Sequence, residues 1–385
     1  MAKPSFLFVS NWHPAALERL KVSGRNYEEY DKELAEKLLD MPHLYAQAMN
    51  KLGCRAKAII PSCQTLQKKW AEENGLDVSD FELPHLARRH SFLRAISAKF
   101  PKIYLFLKGL ADKQTWGQQI LLAQIKEFKP DVLLFFDPHY FTPAFLKEAR
   151  LHAGKIAGEL SSPIMMPDAY LKRYDFLFSS LPHYVERFKK MGIGSAYLPY
   201  VFEPEISKKI GNKKRKYDCV FVGAISASSD KYPLLEELAK KVNINFWGHL
   251  QRPIAKSSSM LAKYHGEAWG KDMFRVLAQA KIVVNCHTKR VGKYFESPYA
   301  NNVRLYEATG MGAFLLTDAK ENLRELFEPG KEVETYNSSE ELLGKINYYL
   351  EHDKERERIA RAGQKRTLKD HTYSKRAERM LKALQ

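Results

Sequence analysis

The stretch VRLYEATGMGAFLLT, residues 303–317, holds the side chains best spaced for chemistry. Arg304 and Glu307 stand three apart in a helical pattern, so one face carries a cation and a carboxylate. Gly310 and Gly312 then lead into an apolar strand. Polar groups gathered at a strand end, beside glycines that let backbone approach a ligand, are the layout of a nucleotide site. The plainer reading of the same spacing is an intrahelical ion pair, worth about 0.2–0.5 kcal/mol on an exposed face.

Further candidates lie on loops that follow predicted strands. DCVFVGAISASSDKYPLLEEL (218–238) runs a strand into Gly223 and small polar residues ahead of a helix. Amides near Gly223 are placed to hold a phosphate, and Lys231 to offer it a point charge. An ordinary connection with a solvated lysine has the same pattern. In HGEAWG (265–270), Gly266 and Gly270 flank Glu267 and Trp269 just before a helix, as a loop closing over a flat ring would. Trp269 as core filler is the competing reading. DVLLFFDPHYFTP (131–143) sets Asp137 and His139 past a strand end, where a histidine can orient an acceptor or a sugar or simply complete a loop. Asn11 and His13 follow the first strand in the same way.

Absent motifs exclude other chemistries. No G-x-G-x-x-G follows the first strand, and no G-x-x-x-x-G-K-[ST] occurs anywhere, which argues against hydride transfer and ATP hydrolysis. With no D-x-D motif and no His/Cys cluster at ligand spacing, metal-independent chemistry without a cofactor is expected.

These loops need elements to hold them. Short apolar runs at 5–10, 56–60, 131–136, 156–160 and 176–180 alternate with helical patterns at 30–52, broken near Met41-Pro42, and at 182–191. The pattern stops at 204–216, PEISKKIGNKKRK, which is basic and without a hydrophobic face and reads as a linker. It restarts with strands at 218–222, 245–247, 282–285, 313–317 and 332–336, separated by helices at 234–241, 271–280, 303–310 and 322–327 and followed by one at 338–351. Such alternation predicts parallel, doubly wound α/β sheets. We therefore expect one Rossmann-like domain over 1–203 and another over 217–367, facing across a cleft. The segment 371–384 spaces Tyr373, Ala377, Met380, Leu381 and Leu384 for one apolar face, and a final helix over 368–385 is expected to pack back on the first domain.

Composition agrees with two cores. The 385 residues are 45% hydrophobic and 12% aromatic, long for a single domain. No window of 18 apolar residues exists, and the opening MAKPSFLFVSNWHP is too short in apolar run for a signal peptide, so a cytoplasmic protein is expected. Cys54, Cys63, Cys219 and Cys286 form no C-x-x-C pair and read as small buried hydrophobes. The formal charge of +17 favours anionic partners without choosing among them. Residues 85–113 mix basic side chains with Phe92, Leu93, Ile96, Phe100, Tyr104 and Phe106. Two readings stand for them: peripheral contact with an anionic membrane at its inner face, or a core-facing helix with a charged outer side.

The order of VRLYEATGMGAFLLT, LRELFEPGKEVETY (323–336) and RIARAGQKRTLKDHTYSKRAERML (358–381) resembles the C-terminal half of GT-B glycosyltransferases of the CgeB-like, spore-maturation type, relatives of the retaining glycogen-synthase-like group. The resemblance spans roughly 217–384; over 1–200 it is one of architecture. It implies a nucleotide-diphosphate-sugar donor, a polysaccharide, glycolipid or protein hydroxyl as acceptor, and a role in cell-surface glycan synthesis. Glu307 aligns with a glutamate that accepts hydrogen bonds from ribose hydroxyls, the Asn302 and Val303 amides would face the donor phosphates, and the loop of Glu267 and Trp269 would hold the base. Helix-terminal amides with Arg304 or Lys231 would stabilise the leaving diphosphate. His139 matches the rough location of a family histidine and is the candidate catalytic residue, with Asn11 and His13 on the acceptor side. Two departures stand out: Ala224 replaces a common arginine, and Tyr299 occupies the place of a sugar-contacting glutamate. The stereochemical outcome therefore does not carry over. A nucleotide-sugar epimerase on the same architecture is the alternative enzyme. A nucleic-acid binder is disfavoured, because the basic residues are dispersed and no recognition module appears.

Overall fold

The computed structural model describes residues 3–12, 16–17, 20–77, 116–164, 166–250, 254–287, 290–291 and 295–384. His13 and the segment 85–113 lie outside the described residues. The chain divides into two units, Met1–Leu198 with Met380–Gln385, and Pro199–Arg379.

In the first unit β1 (Ser5–Ser10), β2 (Arg55–Ile59), β3 (Val132–Phe136), β4 (Lys155–Glu159), β5 (Phe176–Ser179) and β6 (Gly194–Tyr197) form one parallel sheet, ordered β2-β1-β3-β4-β5-β6. Helices cover parallel sheets on both faces, so their strands are apolar on both sides; Phe6, Leu7, Phe8 and Val9 are all buried. The chain crosses from one side of β1 to the other between β2 and β3. That reversal opens a crevice at the carboxyl ends of β1 and β3, where Ser10 pairs with Phe136.

The second unit repeats the plan with β7 (Tyr217–Val222), β8 (Ile244–Trp247), β9 (Ala280–Asn285), β12 (Phe314–Asp318) and β13 (Glu334–Tyr336), ordered β13-β12-β9-β7-β8 and parallel throughout. A small antiparallel pair, β10 (Arg290–Val291) and β11 (Phe295–Glu296), stands apart from it. Here the order reverses between β7 and β9. Leu235 and Leu238 of the Tyr232–Lys241 helix and Ile346 and Tyr349 of the Ser339–Glu351 helix share one core with Phe221, Ile282 and Phe314.

Several expectations need correction. The 204–216 stretch is not a bare linker: Pro204–Ile210 is a helix, its Ile206 and Ile210 one turn apart and buried. Two apolar residues in seven suffice there, too few to read as a face. Correspondingly, the units divide at Leu198, ahead of the expected boundary. The 30–52 helix is two, Tyr27–Leu38 and Met41–Lys51, separated by left-handed Leu39 and by Asp40, whose side chain caps the second helix. An 18-residue helix, Asp353–Asp370, was hidden by its charges. Gly363 lets it approach the turn ahead of β13, since a Cβ there would lie 2.2 Å from the Glu332 carbonyl oxygen. In the last helix Tyr373, Ala377, Met380 and Leu384 are buried. All four cysteines are buried and unpaired, and burial pushes the Cys219 and Cys286 thiols up to about 12, which suits packing rather than reactivity.

Candidate nucleotide site and the strand ends around it

Arg304 opens the Arg304–Gly310 helix and is buried. Its Nε donates to the Val222 carbonyl at 3.1 Å, and Nη1 lies 3.1 Å from Met273 Sδ. The guanidinium thus ties the helix to the last residue of β7, immediately before Gly223. Nη1 also sits 2.7 Å from Glu307 Oε2, an oxygen that completes no hydrogen bond among the described residues. The contact is therefore ionic, at an angle outside hydrogen-bond geometry. With side chains only 9% and 17% exposed, this is a buried pair and not the exposed one of the plainer reading. Burial raises the Glu307 carboxyl above its usual range, and the Arg304 charge opposes that rise.

The two glycines of the helix end do different work from that expected of them. A Cβ on Gly310 would fall 2.4 Å from the Phe202 ring, so its missing side chain makes room for an aromatic ring rather than for a ligand. Gly312, at φ +70°, makes the turn into β12. The backbone-to-backbone approach lies elsewhere: at Gly248, φ +141°, a Cβ would be 1.9 Å from the Gly223 carbonyl oxygen. Gly248 is what allows the loop after β8 to lie against the Gly223 loop.

Around the helix start the strand ends are joined by side chains. Asn302 Oδ1 accepts from the Arg304 amide at 2.9 Å, and its Nδ2 donates to Asn285 Oδ1 at 2.8 Å. Asn285 in turn donates to Thr317 Oγ1. Val303, the residue before the helix, makes no side-chain cap. In the 265–270 loop Gly266 and Gly270 have positive φ, and both Glu267 oxygens are engaged, Oε1 with His249 Nδ1 at 2.7 Å and Oε2 with Trp269 Nε1 at 2.9 Å. Glu267 therefore fixes the indole in place.

Beyond the ends of β9, β12 and β13 lies a cavity of about 380 Å³, whose lining includes Lys231, Cys286, His287, Asp318, Tyr336 and Ser339. Of the candidate site residues named from the sequence, Lys231 lines it, as does Cys286 from among the cysteines. Sequence reasoning missed His287 and Asp318. His287 Nδ1 is 2.7 Å from Asp318 Oδ1, which also accepts the His287 amide at 3.0 Å. Lys320 Nζ lies 3.5 Å from the other Asp318 oxygen. Burial works to raise the Asp318 carboxyl, but its contacts with His287 and the Lys320 ammonium outweigh it and hold it below the usual range. The available signal was a polar residue closing each of two apolar strands, NCH after β9 and LLTD at the end of β12.

In the first unit, Asn11 follows β1 and is half-buried. Past β3, Asp137 takes a left-handed φ of 67° and its Oδ1 lies 2.6 Å from His139 Nδ1, fixing the imidazole in a short turn. The neighbouring strand adds a residue not foreseen, Glu159 at the end of β4, which is buried and takes a hydrogen bond from Ser161 Oγ. Burial pushes its carboxyl up to about 7; the Ser161 bond opposes this, and Asp137 adds to it. Asp137, His139 and Glu159 thus gather at one sheet end, joined by the Asp137 amide donating to the Glu159 carbonyl at 3.3 Å.

Among the described residues no group of three or more His, Cys, Asp or Glu is placed to hold a metal, and no helix is long and apolar enough to cross a membrane.

Comparison with known proteins adds to this geometry. Residues 231–382 match the family model described as glycosyl transferase-like. No curated protein matches the chain. Among solved structures, a glycosyltransferase from Rickettsia africae superposes with a TM-score of 0.56 at 12% identity, covering 99% of this chain and 98% of that one. HepE of Anabaena, solved with UDP and glucose, gives 0.53 at 13% identity, with 99% of each chain covered. Sucrose-phosphate synthase from Thermosynechococcus elongatus gives 0.54 at 9%, covering 99% and 98%. At such identities the likeness is one of fold. The chain accordingly has the GT-B fold, two Rossmann-like domains with parallel sheets, and its second unit carries a glycosyl transferase-like domain.

Proposed function

We propose that the protein is a glycosyltransferase that moves a sugar from a nucleoside-diphosphate-sugar to a hydroxyl acceptor, a glycan, a lipid-linked sugar or a protein. The observation that carries this reading is the buried Arg304–Glu307 pair beside the Gly223 loop at the order reversal of the second sheet, within the region of glycosyl transferase-like sequence. Ligands of open α/β sheets settle at such reversals. Glu307 supplies a carboxylate for ribose hydroxyls, Trp269 a fixed ring face for the base, and Lys231 a charge for the diphosphate. In the first unit His139, held by Asp137, and Asn11 form the acceptor side. The motif order of 303–381 favours a CgeB-like enzyme within this class.

The Anabaena protein was solved with UDP and glucose, so UDP-sugars are the donors to test first. A thermal-shift screen against UDP, GDP, ADP and CMP is expected to single out one base, because a ligand at about 100 times its Kd raises stability by roughly 2.7 kcal/mol. Labelled donors then separate transfer from epimerisation. Release of free nucleotide that depends on an acceptor supports transfer; isomer formed without release would replace it with the epimerase reading.

Metal independence is a second expectation. The sequence has no D-x-D carboxylate pair to bridge a diphosphate through a divalent ion, so donor turnover should persist in excess EDTA. Activity lost to EDTA and restored by magnesium or manganese would overturn it.

A further inference from the structure

The cavity past β9, β12 and β13 contains one group whose hydrogen-bonding capacity the protein leaves unused. His287 is 6% exposed and lines the cavity; its Nδ1 is held by Asp318, and its Nε2 is buried without a hydrogen-bond partner among the described residues. An unpartnered buried ring nitrogen costs free energy unless a ligand meets it. Lys231 lines the same cavity, its Nζ 5.4 Å from the centre of the Phe221 ring and without a carboxylate within ion-pair distance among the described residues. The carboxylates nearby are already matched: Asp318 by Lys320 and His287, Glu237 by Lys241 at 2.7 Å. Asp230 takes a hydrogen bond from Ser229. The amino end of the Ser339–Glu351 helix, although it borders the cavity, is occupied by its own residues, the Glu341 amide bonding to Ser338 and its carboxylate to the Asn337 amide. What is left to offer is an ammonium and an imidazole, both able to donate to an anion.

We propose that His287 is a phosphate-binding residue: its Nε2, protonated when ligand is bound, donates to a phosphate oxygen of a diphosphate that Lys231 also contacts, while Asp318 fixes the ring through Nδ1. The proposal deepens the donor reading, and the choice of a diphosphate as ligand rests on it. Asp318 makes the arrangement work twice, orienting the ring and stabilising the imidazolium across a 2.7 Å contact. With Nδ1 held by Asp318, only the imidazolium can donate from Nε2, so affinity falls as pH rises through loss of that proton. The charged and titratable groups facing the ring are Asp318 at the end of β12 and Lys320 beyond it, Lys231 and Asp230 ahead of the Tyr232–Lys241 helix, Glu237 within that helix, Cys286 after β9, and Tyr336 of β13, whose hydroxyl donates to the Asn285 carbonyl. Histidine is the group among these whose ordinary range spans pH 6 to 8.

Inorganic pyrophosphate is the probe, titrated calorimetrically into wild type and His287→Gln from about pH 6 to pH 8.5. Pyrophosphate titrates too, so the readout is the ratio of the two affinities at each pH, from which the ligand's own protonation cancels. A ratio of about 10- to 100-fold at pH 6, shrinking toward one at pH 8.5, is expected from loss of a charge-assisted hydrogen bond. Equal affinities at every pH, or no pyrophosphate binding by wild type, would overturn the proposal. If the glutamine variant does not fold, ¹⁵N NMR of wild-type imidazoles reads the same contact: pyrophosphate must shift the His287 Nε2 resonance as a hydrogen bond to an anion forms, and an unchanged spectrum refutes it. Failure of the donor reading is distinguishable. A His287-dependent pyrophosphate site in a protein that binds no nucleoside diphosphate would sink the donor reading alone, whereas tight nucleotide binding indifferent to His287→Gln would sink this inference alone.

Discussion

Glu307→Gln is expected to weaken nucleotide binding by about 10- to 100-fold and to lower stability at the same time. The first effect follows if the carboxylate accepts charge-assisted hydrogen bonds from ribose hydroxyls, each worth roughly 1.5–3 kcal/mol. The second follows from burial. Arg304 is 8% exposed, and Glu307 is the carboxylate beside it, so the amide leaves a guanidinium whose charge is uncompensated. Removing one partner of a buried pair costs roughly 3–5 kcal/mol, and glutamine, still polar, should approach the lower end. The two effects separate in a double variant. Arg304→Met with Glu307→Leu replaces the pair by apolar groups of similar volume, a change that is often neutral in stability. We expect that variant to regain folding without regaining affinity. Calorimetric titration with whichever nucleotide binds wild type decides the matter: full affinity in Glu307→Gln, accompanied by a lower Tm, would make Glu307 a structural counter-ion to Arg304 and nothing more.

The second large effect is expected in the first unit. Glu159 titrates near 7 when folded, against an ordinary value of 4.5, with burial as the leading cause. Its folded pKa is raised, so folding favours the protonated acid. The sign follows: the stabilising contribution is complete below about pH 4.5 and is lost as pH rises through 7, where a buried carboxylate must ionise. At 1.36 kcal/mol per unit, the difference is about 3 kcal/mol. Glu159→Gln keeps the shape and removes the titration, so above neutral pH it should raise the Tm of this unit by roughly 6–12 °C. At pH 4 the two proteins should melt together. Melting curves across this range check the account, and a Tm difference independent of pH would show that Glu159 is already solvated or paired. If the first unit handles an acceptor hydroxyl at this sheet end, the stabilised variant will also report whether a neutral acid at Glu159 is compatible with turnover.

Much of the scaffold was legible because parallel strands covered on both faces must be apolar on both faces. Runs such as FLFV, VLLFF and IVVN stand out from any background, and their boundaries fall within a residue or two of the observed strands. The helices were less uniform. The Asp353–Asp370 helix escaped notice because its buried face is short of large apolar side chains: Ile359 and Ala360 join the sheet core, Gly363 and Thr367 lie against Thr309 of the Arg304–Gly310 helix, and charged residues fill most of the other positions. Pro204–Ile210 failed to register for a similar reason, burying only two isoleucines.

The site divides along the same line. Arg304 and Glu307 could be paired from sequence because three residues along a helix is one turn, a local relation fixed by backbone geometry. Whether that pair was exposed or buried was not a local question; Val222, Met273 and the packed neighbours of the helix decided it. Gly310 shows the same limit, since nothing in its flanking residues indicates the Phe202 ring that requires it. His287, just past β9, and Asp318, the last residue of β12, are 31 positions apart, and each alone looks like the polar end of an apolar run. Only the register of β12 on β9, which places Thr317 opposite Asn285, carries the next residues into contact. The sequence by itself determined the two wound halves, the strands and the helix that bears the ion pair, because burial periodicity and helical spacing act over neighbouring residues. Tertiary structure alone decided the His287–Asp318 contact and the clustering of Glu159 with Asp137 and His139, because strand order and register bring together side chains that no local pattern relates.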